Sequence, residues 1–408
     1  MNRDISEESK NRKLTFTSFA ILVSLFFAAI NFLNVYYFFL FFAFCTFLFT
    51  PGRKLKFDLS FFALCLFSVS KMVFDPASNS MFNVLICFIF PVSYFIGYCF
   101  WGNNDSFDEH IRYTHGIIYI FAAGTLCHFL LNMLINAGVS DIGRDTIDFW
   151  TRNEMSATGQ ASLACFSIAV VSAFLFSNCG KVKRIIAVLV LAFIIAYNFI
   201  LAGRTIFALL LIALAFAFFF RARVYKKKIL KTLFIVLLIV ALLLFAYSRD
   251  IFGVRTAFES SNFYLRFNGE YSQELDDDHR LEFKLYYLEH LFDYPFGGGN
   301  IRAQLGHSAH DLYFDLYDES GLFAFLGLVI YILASIRRWF RFTKCKALSF
   351  ETRLLVSCVY LAVNIQFWLE PITRGMPWLL AYYCLTDGLV SSVLRKIENE
   401  KSLGRNKI

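Results

Sequence analysis

Three arginines and one histidine occupy positions in this sequence where their chemistry would be costly to waste. Arg204 stands between two apolar runs in Leu201-Ala-Gly-Arg-Thr205, Arg280 opens a helical stretch, and Arg374 lies in Glu370-Pro-Ile-Thr-Arg-Gly375. His310 falls in His307-Ser-Ala-His310-Asp311. A guanidinium stays charged and offers a bidentate fork to phosphate. An imidazole titrates near neutrality and can take a proton from a hydroxyl. Each has a plainer reading: a snorkelling helix-end arginine for Arg204, a solvated residue pairing with Glu282 or Asp276 for Arg280, a polar loop histidine for His310, an interfacial anchor for Arg374. On one face of a molecule they suit an anionic group with a proton acceptor beside it. The stretch Phe296-Gly297-Gly298-Gly299 adds backbone that a ligand could approach closely.

Other chemistries fit less well. No Gly-x-x-x-x-Gly-Lys loop occurs, so ATP is not the expected phosphate source. His307 and His310 are only three apart with no HExxH pattern, so the spacing does not point to a metal site; no cofactor is expected. Asp276–Asp278 and Asp315–Glu319 could supply the paired carboxylates of a glycosidase, but such runs are expected to form a solvated face.

The elements that must position these residues are membrane helices. The 408 residues are 58% hydrophobic and only 17% charged, with 52 phenylalanines, against about 25% charge in a globular domain. A span needs roughly 20 apolar residues. Twelve runs qualify: roughly 15–32, 35–50, 59–74, 81–100, 113–137, 159–178, 184–202, 204–221, 229–248, 321–336, 353–369 and 376–394. The first two are parted only by a polar hinge at Asn31 and Asn34; the third is weakened by Ser68, Ser70 and Lys71. With both termini cytoplasmic, 28 of the 39 Lys/Arg fall on the cytoplasmic side, as the positive-inside rule requires. The net charge of +8 is therefore a topology signal, with no nucleic-acid partner implied. The ten cysteines avoid the outer loops and form no CxxC, so no disulfide framework is expected. The fold class is an all-α polytopic membrane protein, one transmembrane domain over 1–408.

One connection breaks the pattern. The segment 249–320 is an outer loop too long to be idle. Leu281, Leu285, Leu288 and Phe292 recur at helical spacing and predict an amphipathic helix on the membrane surface, stopped by Tyr294-Pro295. The loop is expected to fold, to dock back on the bundle and to carry the site.

With these residues in place, the chain resembles the bacterial lipid-linked polysaccharide polymerases and O-antigen ligases. Gly203-Arg204-Thr205 is similar to the family's Ser/Thr-Arg-small pattern, and Arg280 with Tyr294-Pro-Phe-Gly-Gly-Gly299 to its Arg…Pro-Phe-Gly-x-Gly element. His310-Asp311, nine residues, then Gly321-Leu-Phe-Ala324 resembles the ligase pattern His-Asn/Ser/Gln…Gly-x-x-Gly/Thr/Tyr, from which Asp311 and Ala324 depart. Arg374 and Ser156-Ala-Thr-Gly159 also resemble family positions; the likeness spans about 150–390. It implies a metal-independent glycosyltransferase of the bacterial inner membrane, acting at the periplasmic face on a glycan held by undecaprenyl pyrophosphate. The acceptor would be another lipid-linked repeat for an O-antigen or capsule polymerase, the reading preferred here, or lipid A-core for a ligase. A chain-length regulator is a further candidate partner. The resemblance makes Arg204, Arg280 and His310 catalytic; Arg374, Gly297, Gly299 and Asp311 would contact substrate. The alternative from another class is a multi-span transporter or lipid flippase, which should instead show related halves.

Overall fold

Apolar runs bounded by capping residues become helices here because every backbone N–H and C=O must be satisfied where no water can reach. The computed structural model describes residues 16–49, 55–75, 81–100, 106–137, 145–225, 241–242, 244–268 and 280–402. The chain is an all-α bundle, and six described helices are long and apolar enough to cross a membrane. Helices α1 (Phe16–Ala29) and α2 (Tyr36–Leu48) form a tight pair joined by a 3-10 turn. In that joint Asn31, Leu33 and Asn34 all adopt left-handed backbone angles, φ 51°, 52° and 58°. The hinge expected at these asparagines is therefore a sharp reversal.

Helix α3 (Leu59–Phe74) starts at Asp58, whose carboxylate accepts the Phe61 N–H at 3.0 Å. Next comes α4 (Met81–Cys99), and then α5 (Phe107–Asn136), which opens on a capping box between Ser106 and Glu109. A two-stranded antiparallel hairpin follows, β1 (Asp145–Ile147) with β2 (Glu154–Ser156), in the register Asp145 to Ser156. No alternation in the sequence signals it. Helix α6 (Ala157–Phe176) is the axis of the bundle, buried at every residue from 157 to 173. A helix buried all round needs small residues to let neighbours approach, and this one is rich in Ala and Ser. At the margin, α7 (Lys181–Leu201) and α8 (Arg204–Val224) expose apolar faces, among them Ile185, Leu189 and Leu211.

The ninth apolar run, 229–248, lies mostly outside the described residues. Beyond it come the short helices α9 (Val254–Glu259), α10 (Asn262–Phe267), α11 (Arg280–Glu289) and α12 (Asn300–Leu305). Helix α13 (Leu312–Lys344) is broken at Gly321 (φ 75°, ψ −175°), and then come α14 (Phe350–Leu369), α15 (Ile372–Gly375) and α16 (Pro377–Ser402). The closest pairings set α3 along α13 and α4 along α16.

The connections sort into two ends. At one, Arg395 donates to Tyr98 O (3.2 Å), Arg221 to Phe176 O (3.0 Å), and Lys56 N to Cys99 Sγ (3.3 Å). Just inside it, Arg338 donates to Asp387 Oδ1 (3.0 Å) and to Ser60 Oγ (2.6 Å). At the other end, Trp150 Nε1 donates to Ile30 O (2.9 Å) and Gln366 Nε2 to Thr158 O (3.2 Å). All the candidate site residues belong to this second end.

Candidate functional site

His310 sits in a backbone conformation that only a well-held residue keeps. Its φ is 54°, the left-handed region that costs an L-residue roughly 1–2 kcal/mol. The turn is clamped from both sides. Asp315 accepts the Ala309 N–H at 2.9 Å on one carboxylate oxygen and the Asp311 N–H at 3.1 Å on the other. Asp311 in turn caps α13, accepting the N–H groups of Tyr313 (2.9 Å) and Phe314 (2.8 Å). Asp311 is fully buried. Burial pushes its carboxyl above the ordinary carboxylate range, opposed by the Lys284 ammonium and the two capping N–H groups. His310 itself is half-buried at the edge of this clamp.

Helix α11 docks against the same turn. Lys284 Nζ lies 3.1 Å from Asp311 Oδ2 and donates to Trp368 O at 2.9 Å. The rings of Phe283 and His307 stack at 4.9 Å, and Tyr287 Oη donates to His307 O at 3.1 Å. Leu281, Leu285 and Leu288 stay exposed on the outward face, so the amphipathic helix docks by its polar and aromatic side. It ends at Glu289, short of the expected stop at Tyr294-Pro295, and Phe292 is exposed in the turn beyond it. Arg280 is the first residue of this helix, one turn before Lys284 and thus on the same face; its side chain lies outside the described residues. The structure therefore brings the elements carrying Arg280 and His310 together.

The glycine segment has a structural task. Gly298 N–H donates to Glu319 O (3.2 Å), Gly299 N–H to Asp318 O (2.7 Å), and Leu322 N–H to Pro295 O (2.8 Å). These bonds seat residues 295–299 on the break in α13. A Cβ on Gly297 would meet Gly321 N at 2.6 Å, and one on Gly321 would meet Pro295 O at 2.5 Å. Both have positive φ, so side chains are excluded on two counts. Asp318 also accepts the Ile301 N–H at 2.8 Å, capping α12. The acids at 315–319 are therefore not the solvated face that their polar run suggests: Asp315, Asp318 and Glu319 are 1%, 1% and 6% exposed. They are buried because the loop's own N–H groups and two cations satisfy them.

Those cations are Lys71 and Arg374. Lys71 Nζ lies 2.6 Å from Asp75 and 3.2 Å from Glu319, and Arg374 pairs with the other Glu319 oxygen. Burial lowers the Arg374 pKa, as does Arg302 nearby, against the pull of Asp315 and Asp318. Arg374 thus ties α15 to the loop core. It also forms part of the wall of a cavity of about 400 Å³, bounded by the α1–α2 hinge, the hairpin and the start of α16. Ser156 and Gly159 line that cavity too.

Arg204 is exposed at the same end, apart from the His310 clamp. Asn198 Nδ2 donates to Gly203 O at 2.8 Å, closing the turn that presents Arg204 beside the start of α6. No described contact joins it to Arg280, His310 or Arg374. Among the described residues, no three His, Cys, Asp or Glu side chains converge as a metal site requires.

Sequence reasoning placed Glu319 on a solvated face and missed Lys284 and a buried pair, His128 with Asp148, 2.7 Å apart. Lys71 carried a signal: a lysine in an apolar run needs a partner. Burial pushes the Asp148 carboxyl up, but the His128 bond and charge and the Thr151 donors outweigh it and hold it at about 2, below 3.8. A depressed carboxylate stabilises the fold above its unfolded pKa and loses that contribution as pH falls towards the folded value. The wild-type thermal midpoint should therefore drop more than that of Asp148→Asn between pH 4 and about 2. At neutral pH the variant should be less stable by about 2 kcal/mol. Parallel acid profiles for the two proteins would contradict this.

The chain matches no protein-family model, and no curated protein matches it.

Proposed function

We propose that this protein is a polysaccharide polymerase of the O-antigen or capsule type. It would span the bacterial inner membrane twelve times with both termini cytoplasmic and the site end facing the periplasm. The observation that carries this reading is His310, held in a clamped left-handed turn against the helix that Arg280 begins. In the reaction, the acceptor sugar hydroxyl attacks the anomeric carbon of the lipid-linked glycan. A new glycosidic C–O bond forms, the bond to pyrophosphate breaks, and its electron pair leaves with undecaprenyl pyrophosphate. His310 takes the hydroxyl proton. Arg280 and Arg204 stabilise the charge gathering on the leaving group, and Arg374 is a substrate contact of lesser weight. Gly297 and Gly299 act by seating the loop.

A second reading, the O-antigen ligase, is supported by the work Asp311 performs. Its carboxylate is a helix N-cap, a task that Asn, Asp and Ser perform about equally. Its departure from the ligase pattern is therefore a conservative one. Cells lacking the gene separate the two. Single repeats on lipid A-core, restored to long chains by wild type but not by Arg204→Ala, support the polymerase. Bare lipid A-core with accumulating lipid-linked polymer supports the ligase. An unchanged surface glycan contradicts both.

A further inference from the structure

The cavity beside Arg374 is built from parts that the clamped turn does not use. Its volume, about 400 Å³, falls in the range of small-ligand clefts, roughly 300–1,000 Å³. The polar lining is mostly neutral: the carboxamides of Asn31, Asn34 and Asn153 and the phenols of Tyr36 and Tyr37, with Trp378 on the apolar side. Arg374 is the cation among the described lining residues, and Glu319 already holds it. Asp148 is likewise committed to His128 and to the turn that follows it, and Glu154 on the hairpin is a second lining carboxylate. An anionic headgroup would find no spare positive charge among the described lining residues. A neutral polyhydroxyl ligand would find amide and hydroxyl partners for its oxygens and apolar wall for its C–H faces.

Two further observations mark the cavity as built for an occupant. Tyr36 Oη and Asn31 Oδ1, on two lining residues only 4% and 6% exposed, lie beneath the cavity surface without a hydrogen-bond partner. Leaving such a group unpaired destabilises the fold. The hinge that supplies them also holds Asn31, Leu33 and Asn34 at positive φ, strain of the kind that gathers at ligand clamps.

We infer that this cavity binds a neutral pyranose unit of the incoming acceptor glycan. The inference rests on the glycosyl-transfer reading. Arg374 then joins the two halves of the site, because it walls the cavity and pairs with Glu319 on the helix that begins at the His310 turn.

Gly375 offers the test. It lines the cavity, and a Cβ there meets nothing within 4 Å, so Gly375→Phe fills space without a backbone clash. Gly180→Phe, at the opposite end and equally free of neighbours, is the matched control. The full-length protein in nanodiscs is given the cells' own lipid-linked repeat as donor and the free repeat oligosaccharide as acceptor. Gly375→Phe should raise the acceptor KM about tenfold with kcat nearly unchanged, while Gly180→Phe behaves as wild type. Saturation-transfer NMR without donor should show the free repeat bound by wild type and by His310→Gly, and lost in Gly375→Phe. An acceptor KM indifferent to Gly375→Phe while transfer proceeds overturns the cavity assignment and leaves the transfer reading intact. Binding that depends on Gly375 in a protein that transfers nothing keeps the cavity as a glycan site and overturns the transfer reading. No binding of the free repeat to wild type overturns the assignment outright.

Discussion

His310→Gly abolishes chain extension and leaves the protein folded. Glycine adopts φ 54° freely, so the turn loses its imidazole and relaxes its strain. The clamp survives the change because it is made of backbone: Ala309 and Asp311 still donate to Asp315, and Asp311 still caps α13. His310→Ala is a poorer probe, since alanine keeps the left-handed penalty and confounds lost stability with lost chemistry. Losing a positioned base costs roughly 10²–10⁴ in rate. Turnover of lipid-linked repeat should fall by that much in a protein that still folds. Near-wild-type turnover by a folded His310→Gly protein would remove the histidine from the mechanism.

Gly321→Ala has the largest expected effect on the fold of the site. At φ 75° and ψ −175° the residue occupies a region essentially reserved for glycine. Its added methyl would also lie 2.5 Å from Pro295 O and 2.7 Å from Phe296 C. Backbone lies on both sides of the contact, so no side-chain rotation relieves it. The bonds from Gly298 and Gly299 to the 318–319 carbonyls would open, and with them the seat of residues 295–299. The cost is about 3 kcal/mol or more, read as a lower thermal midpoint and as cleavage by protease within 294–299. Gly297→Ala should behave alike, from the other side of the same contact. Gly116→Ala, with nothing within 4 Å, should be neutral or slightly stabilising. Equal behaviour of Gly321→Ala and Gly116→Ala would contradict this account of the glycine segment.

Much of the helical scaffold was legible because burial in lipid leaves long apolar runs. The hinge at Asn31 and Asn34 and the helix opening at Arg280 could be read from residue type and period. The hairpin 145–156 could not, since its short strands are held by Asn136, His128 and Gln160 from neighbouring helices. Periodicity reports which face an element buries and is silent on the partners of its polar groups. The acids from 311 to 319 show the difference. Asp311, Asp315 and Glu319 recur every four residues, a stripe along one helix face, yet a polar run invites the label of surface. Their burial depends on Lys71, 248 residues away from Glu319 in the chain, on Lys284 and Arg374, and on the N–H groups of the turn that carries His310. Arg204 stands at the right end of the bundle, but only its exposure and its turn are fixed by described contacts.

The central claim is that this protein breaks a polyprenyl pyrophosphate bond in joining two glycans. The direct test reconstitutes the full chain in vesicles with its own undecaprenyl-pyrophosphate-linked repeat and follows glycan length and free undecaprenyl pyrophosphate together. The account requires one undecaprenyl pyrophosphate released for each glycosidic bond formed, with neither product in the His310→Gly protein. Lipid-linked repeat carried across the bilayer intact, with no undecaprenyl pyrophosphate released, would identify a transporter and contradict it.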